Sequence, residues 1–308
     1  MSKSHFLDRS YVVRYLARAL REGRLALFLG SGLSRELVNS GRGAIGLPSW
    51  KTLIKRMYSA ARRPIPGGAN YIQQAEDLKN WFLQTKTMRQ FQDAVQNALY
   101  EHIALDFAAI RQNATLSGIG ALVAQSRRGH ASEVFTFNFD DVLERYLGYY
   151  GIIAYPVIKE KFWARSADVL VYHPHGFLPS PHSPFSDRGT ILVFDERSYL
   201  QQQPDSRWNQ RMEVAMQANV CLFVGLGRDD FHLKQLVERT SSKHAFVPAK
   251  DGYWGVVLRS KPAAEEIRDW HQYHVHVEPL KDYSRDLPNT IFAICQEAAR
   301  ASDRRRPV

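Results

Sequence analysis

Cysteine is nearly absent from this 308-residue chain: its two cysteines, Cys221 and Cys295, are too few for a disulfide scaffold or a four-cysteine zinc site. Cys221 lies inside the apolar run Val220–Val224, the setting of a buried and inert thiol. Long hydrophobic stretches are also missing. Residues Met1–Ser10 include Asp8 and no apolar run, so neither a secretory signal nor a membrane anchor is expected and the chain reads as cytoplasmic. Acidic residues are in deficit, 31 Asp and Glu against 41 Lys and Arg, a formal charge of +10 that favours a polyanionic partner or a multiply phosphorylated ligand. With 44% hydrophobic and 23% charged residues the composition excludes wholesale disorder, and the length suits one large domain or two modest ones. The tail Arg304-Arg305-Arg306 reads as a solvated terminus.

The apolar pattern gives an order of elements. Val12, Val13, Leu16, Ala19 and Leu20 repeat at helical spacing over Tyr11–Glu22, with Ser10 available as N-cap and Gly23 as the stop. Leu25–Leu29 follows as a continuous apolar run too short for an independent helix, as expected of a strand buried on both faces of a parallel sheet. Similar short runs occur at Val134–Phe137, Val169–Tyr172, Thr190–Phe194, Val220–Val224, Gly255–Leu258 and Val275–Val277, mostly separated by helical segments. The fold class is therefore α/β: a Rossmann-like open, mostly parallel sheet with helices on both faces and ligands at the carboxyl ends of the strands. Between Trp50 and Gln125 strand character fades. Leu53, Ile54 and Met57, then Leu78, Trp81 and Phe82, then Phe91, Val95 and Leu99 form helical stripes, predicting a helical insertion lobe over 51–129 set into a sheet domain made of 1–50 and 130–308.

Four segments follow buried strands and carry polar chemistry. Gly30-Ser31-Gly32-Leu33-Ser34 opens a glycine turn, either a phosphate cradle or a bare structural bend; the third glycine of a dinucleotide fingerprint is replaced by Arg35. Thr136-Phe137-Asn138-Phe139-Asp140 places polar side chains at alternate positions as a strand ends, where Asn138 and Asp140 are either ligand contacts or turn and cap residues. His173-Pro174-His175-Gly176 offers a histidine as base near neutral pH, or as a hydrogen-bonded structural group. Gly225-Leu226-Gly227-Arg228-Asp229-Asp230 is a second glycine turn with acids. His173 with His175, and His274 with His276, have spacings that put both rings on one strand face, but no cysteine or second carboxylate pair accompanies them, and no metal is expected.

In this order the four segments resemble the sirtuin-like family, in particular its bacterial branch in antiphage defence that includes the Thoeris NADase effectors. Gly30–Ser34 is similar to the family's G-A-G-x-S loop, Gly46-Leu47-Pro48-Ser49-Trp50 to its G-x-P-x-[FW] segment, Thr136–Asp140 to T-x-N-x-D, and His175-Gly176 to the H-G motif. The resemblance runs from about Leu25 to Leu280. It departs in lacking the two C-x-x-C pairs of the deacylase zinc ribbon, in Ser31 where Ala is usual, and in Leu226-Gly227 where Tyr-Ser or Thr-Ser is common.

The resemblance implies NAD as substrate and hydrolysis to nicotinamide and ADP-ribose. Asn138 and His175 are the implied catalytic pair with Asp140 orienting the site. Gly30, Ser31, Gly32, Ser34, Thr136, Gly225, Gly227 and Asp230 are the implied contacts to the dinucleotide. It further implies a homo-oligomer or a partner, an ATPase or nucleic-acid sensor, that switches on an abortive-infection effector. Two other readings stay open: a zinc-free NAD-dependent deacylase or ADP-ribosyltransferase, and a nucleic-acid-binding subunit using Arg62-Arg63 and Arg127-Arg128.

Overall fold

Strand β1 (Leu25–Leu29) is buried at all five positions, which only a central strand covered on both sides allows. In the computed structural model, which describes residues 3–34, 46–101, 103, 105–159, 166–188, 192–195, 198, 206–226, 231–243 and 252–303, that strand sits at the centre of one sheet. The others are β2 (Ala131–Thr136), β3 (Ala154–Val157), β4 (Val169–Tyr172), β5 (Val220–Val224), β6 (Gly255–Ser260) and β7 (Val275–Leu280). They run β3-β4-β2-β1-β5-β6-β7, and every neighbouring pair is parallel. The fold is thus the expected open α/β sheet, and its parallel character is complete.

Alternation along β1 divides the core in two. Leu25, Leu27 and Leu29 pack with α1 (Arg9–Arg21), α6 (Ala114–Val123) and α11 (Asp286–Asp303), whereas Ala26 and Phe28 pack with α8 (Arg207–Ala218), α9 (Phe231–Lys243) and the inner side of α10 (Ala264–Gln272). On the second face the parallel register pairs Phe28 with both Phe135 and Phe223, and Phe135 with Tyr172. Their rings form a row across β4, β2, β1 and β5, with centroids 5.0 Å apart for Tyr172–Phe135, 4.9 Å for Phe135–Phe28 and 5.2 Å for Phe28–Phe223.

Two predicted details change and one strand was not predicted. Asp8, not Ser10, caps α1, its carboxylate accepting the Ser10 amide. Leu192–Phe194 is buried but forms no strand, because the Val193 amide bonds to the His175 carbonyl at 2.8 Å and Phe194 packs on Trp50 and Phe91; residues 190 and 191 lie outside the described residues. The short segment Ala154–Val157 is a strand despite Pro156, which is tolerated because β3 is the outermost strand.

Helices α2 (Trp50–Ala60), α3 (Tyr71–Thr85) and α4 (Met88–Tyr100) build the lobe. Asn70 with Gln73 and Thr87 with Gln90 form capping boxes at the starts of α3 and α4. Tyr58 donates to the Gln74 carbonyl at 2.9 Å or to Asp77 at 2.8 Å, joining α2 to α3. The lobe's apolar side is continuous with the core above β1. Within 51–129, α5 (Phe107–Ile110) leads to α6, which lies in the helical layer of the sheet: a Cβ on Gly118 would stand 3.0 Å from Ile291 of α11. Among the described residues no helix is long and apolar enough to cross a membrane.

Truncating Phe28 removes the centre of the ring row and opens a cavity between two strands. Phe28→Ala is expected to lower the unfolding free energy by about 3–5 kcal/mol with an unchanged slope in a urea titration.

Candidate active site

The strand order reverses beside β1: the chain proceeds from β1 to β2 on one side and returns to β5 on the other. A crevice at such a switch point is where open α/β sheets bind ligands. Here the turns that follow β1 and β5 meet backbone to backbone. Gly30 N–H donates to Val224 O at 2.9 Å, Gly32 N–H to Gly225 O at 2.9 Å, and Leu33 N–H back to Gly30 O at 3.0 Å, closing the 3-10 turn Ser31–Ser34. A Cβ on Gly30 would lie 2.6 Å from Gly225 O, and one on Gly32 would lie 2.7 Å from Gly225 Cα. Gly225 itself has φ +70°, a left-handed conformation. These glycines are therefore required by each other. The amides of Gly30, Gly32 and Leu33 are spent inside the paired turns, while Ser31 stays exposed at the bend.

From this junction the neighbouring strand ends are tied in. Asn138 Nδ2 donates to Gly30 O at 3.3 Å, and the Asn138 amide donates to Thr136 Oγ1 at 3.2 Å, so Thr136 is the buried former of the turn that presents Asn138. Ser34 Oγ donates to the Asp140 carboxylate at 3.2 Å, and Asp140 Oδ1 accepts the Val142 amide at 3.1 Å at the start of α7 (Val142–Tyr149). The bond to the Val142 amide is the turn role the sequence allowed for Asp140, two residues on along the chain. Burial pushes the Asp140 carboxyl up to about 7; the Val142 amide opposes this, and the nearby charges of Asp141 and Glu144 add to it.

The two histidines after β4 divide the work. His173 is fully committed: Nδ1 faces the Asn138 carbonyl oxygen at 3.1 Å and Nε2 faces Glu144 Oε1 at 2.6 Å. A carbonyl oxygen only accepts, so Nδ1 carries a proton, and His173 with Glu144 is a buried pair that positions the Asn138 backbone. His175 is buried with its ring edge-on to Phe137, centroids 4.7 Å apart, and its carbonyl holds Val193. Through Val193 the lobe reaches the site. Lys79 of α3 bonds to Asp195 at 2.9 Å and Ser198 at 2.6 Å; burial works against the Asp195 charge, but these two partners hold its carboxyl below the ordinary carboxylate range. Tyr100 of α4 donates to Leu178 O at 2.7 Å and accepts the Asp141 amide at 3.4 Å.

The structure thus brings Gly30, Ser31, Gly32, Ser34, Thr136, Asn138, Asp140, His175 and Gly225 to the ends of four adjacent strands; Gly227 and Asp230 lie outside the described residues. Among the described residues no group of three or more His, Cys, Asp or Glu side chains is placed to hold a metal ion. Glu144, Asp141, Tyr100 and Lys79 were not legible as site supports. Glu144 sits 29 positions before His173, and no local pattern joins them.

Paired turns at the switch point of an all-parallel sheet define a Rossmann-like α/β protein, a fold whose ligands bind beyond the strand ends. The SIR2-like domain family matches residues 132–277, from β2 into β7, a stretch that holds three of the four motifs and supports the sirtuin-like family; domains of this kind bind NAD and are typically NAD-dependent enzymes. No match was found among curated proteins.

Two outcomes follow from this geometry. Gly32→Ala forces backbone against backbone and is expected to destabilise by about 1–3 kcal/mol. Gly67→Ala, at a position where a Cβ meets nothing within 4 Å, should change stability by less than about 0.5 kcal/mol in the same denaturation assay. For Asp140, an acid whose folded-state pKa is raised from 3.8 to about 7 keeps a proton in the folded chain that the unfolded chain has released. Its contribution is most favourable below pH about 4 and is lost as the pH rises to 7. Wild type should accordingly lose stability relative to Asp140→Asn across that interval and run parallel to it above, measured by denaturant titration at a series of pH values.

Proposed function

We propose that this chain hydrolyses the N-glycosidic bond of NAD+, releasing nicotinamide and ADP-ribose. The observation that carries the reading is the linkage of four motif segments at the carboxyl ends of β4, β2, β1 and β5: Gly32 to Gly225, Gly30 to the Asn138 side chain, Asn138 to His173, and Phe137 to the His175 ring. The match to the SIR2-like domain family supports NAD as the ligand of that cleft.

The residues suit what the bond requires. Nicotinamide is a pyridinium in the substrate and leaves neutral, so no general acid is needed and the paired carboxylates of ordinary glycosidases are dispensable. The site must hold the ribose as positive charge develops and position a water. With Nδ2 fixed on Gly30, Asn138 turns Oδ1 to the ribose hydroxyls or the attacking water. His175 takes the proton that the water gives up. Asp140, pinned between Ser34 and Val142, braces the first turn against the start of α7. Because amides of the first turn are used internally, the pyrophosphate is met by Ser31 at the exposed bend. We further propose that turnover is held low in the free chain and raised by self-assembly or by a partner protein, in keeping with an abortive-infection effector of antiphage defence.

Nicotinamide release from NAD+ by the purified chain, alone and concentrated, tests this directly. Asn138→Ala and His175→Ala are each expected to lower the rate by at least about 100-fold without changing the unfolding midpoint by more than a few degrees. Unchanged turnover in both variants would refute the assignment, and NAD consumption that requires an added acyl-peptide or acceptor protein would replace hydrolysis by transfer.

A further inference from the structure

The turn after β5 is held from two sides. On one, Gly225 O accepts the Gly32 amide at 2.9 Å. On the other stands β6, whose register pairs Leu258 with Val224, so Arg259 is level with the turn that begins at Gly225. Val257 packs in the core layer of Phe28 and Phe223, and alternation puts Arg259 on that same side of the sheet. There Arg259 Nη1 donates to Leu226 O, and Nε donates to Glu266 Oε1 of α10 at 2.5 Å. Both side chains are largely buried, 15% exposed for Arg259 and 8% for Glu266. The successive carbonyls of Gly225 and Leu226 are thus each taken by a donor from a different part of the chain.

The residue types explain why the brace comes from outside the turn. Gly225, at φ +70°, has no side chain with which to anchor itself. Leu226 is buried among apolar residues and carries no polar group that could bond back to the turn. An arginine suits the task because its planar fork serves two acceptors at once, and bonds from an ionised donor are about twice as strong as neutral ones. Glu266 fixes the fork at Nε, which aims Nη1 at the Leu226 carbonyl. A buried ion pair adds little net stability, since desolvation offsets the attraction. What this pair supplies is a carbonyl held in one place.

We propose that Arg259, braced by Glu266, is a positioning residue for dinucleotide binding: it fixes the Leu226 carbonyl and with it the second turn against the first. The inference rests on the reading of the cleft as an NAD site. Its effect falls on binding and not on the reacting carbon, because β6 lies three strand spacings, about 14 Å, from β2, whose end carries Asn138. Two measurements on the full chain test it: calorimetric titration with ADP-ribose, and KM and kcat for NAD+. The double variant Arg259→Met with Glu266→Leu removes both charges together, leaves no buried carboxylate behind, and is expected to keep its melting temperature within a few degrees. Its ADP-ribose Kd and its KM are expected to rise at least about tenfold, with kcat within about threefold of wild type. Glu266→Gln keeps an acceptor for Nε and should stay within about threefold in all three quantities. Should the double variant fail to fold, Arg259→Lys loses the fork and is expected to raise Kd and KM at least about threefold. Unchanged Kd and KM in a folded double variant, a fall confined to kcat, or a loss in Glu266→Gln as large as in the double variant would each overturn the proposal. A wild type that binds ADP-ribose without turning over NAD+ removes hydrolysis alone, and the ADP-ribose titrations still decide the role of Arg259. A wild type that does neither removes the NAD site and this role together.

Discussion

The contact between the turns after β1 and β5 is the constraint on which the site depends. Two parallel strands 4.7–4.9 Å apart leave no space for side chains between the backbones of the turns that follow them if those turns also bond to each other. Gly30, Gly32 and Gly225 remove the obstacle, and the Gly32 to Gly225 bond at 2.9 Å becomes possible. Every further tie uses a group that this junction presents. The Gly30 carbonyl takes the Asn138 side chain, the Leu33 carbonyl takes Asn113 at 2.8 Å, and Ser34 reaches Asp140. The Leu47 amide returns to Ser34 O at 2.9 Å, so the chain that leaves the turn comes back to it before α2 begins.

Around that junction the protein gathers buried polar groups: Asp140, Asp141, Glu144, His173, Ser180 and Tyr100. Such groups are costly to bury unless bonded, and the bonds here join different parts of the chain. Asp141 accepts from both the amide and the hydroxyl of Ser180, Tyr100 joins α4 to Leu178, and His173 spans Glu144 and Asn138. The polar interior thus does positional work for the loop ends, while the apolar layers hold the sheet.

Much of this was legible in the sequence because doubly covered strands must be apolar throughout: Leu25–Leu29 and Val220–Val224 announce themselves. The helical stripes of the lobe are equally clear, since each buries residues three or four apart. The failures have physical reasons. Leu192–Phe194 is as apolar as a strand but is buried against a loop and two aromatic rings, and burial alone does not distinguish those settings. Strand β3 was hidden by Pro156, acceptable only at an edge, and a sheet's edge is not visible in one segment. The site segments were found because strand ends carry recognisable punctuation. Their physical roles were less readable: Gly30 and Gly32 read either as a phosphate cradle or as a structural bend, and their closeness to Gly225, like the link of Glu144 to His173, could be seen only once the fold brought the partners together.

The ring row from Tyr172 to Phe223 sets a scale for whatever occupies the cleft. Because the rings lock β4, β2, β1 and β5 in register, those four strand ends stand at fixed intervals, three steps of the sheet's pitch, or about 14 Å from first to last. Any molecule that touches all four must be stretched out along the rim and be about that long. A compact ligand meets only half of the rim, and the residues at either end then have nothing to measure it against.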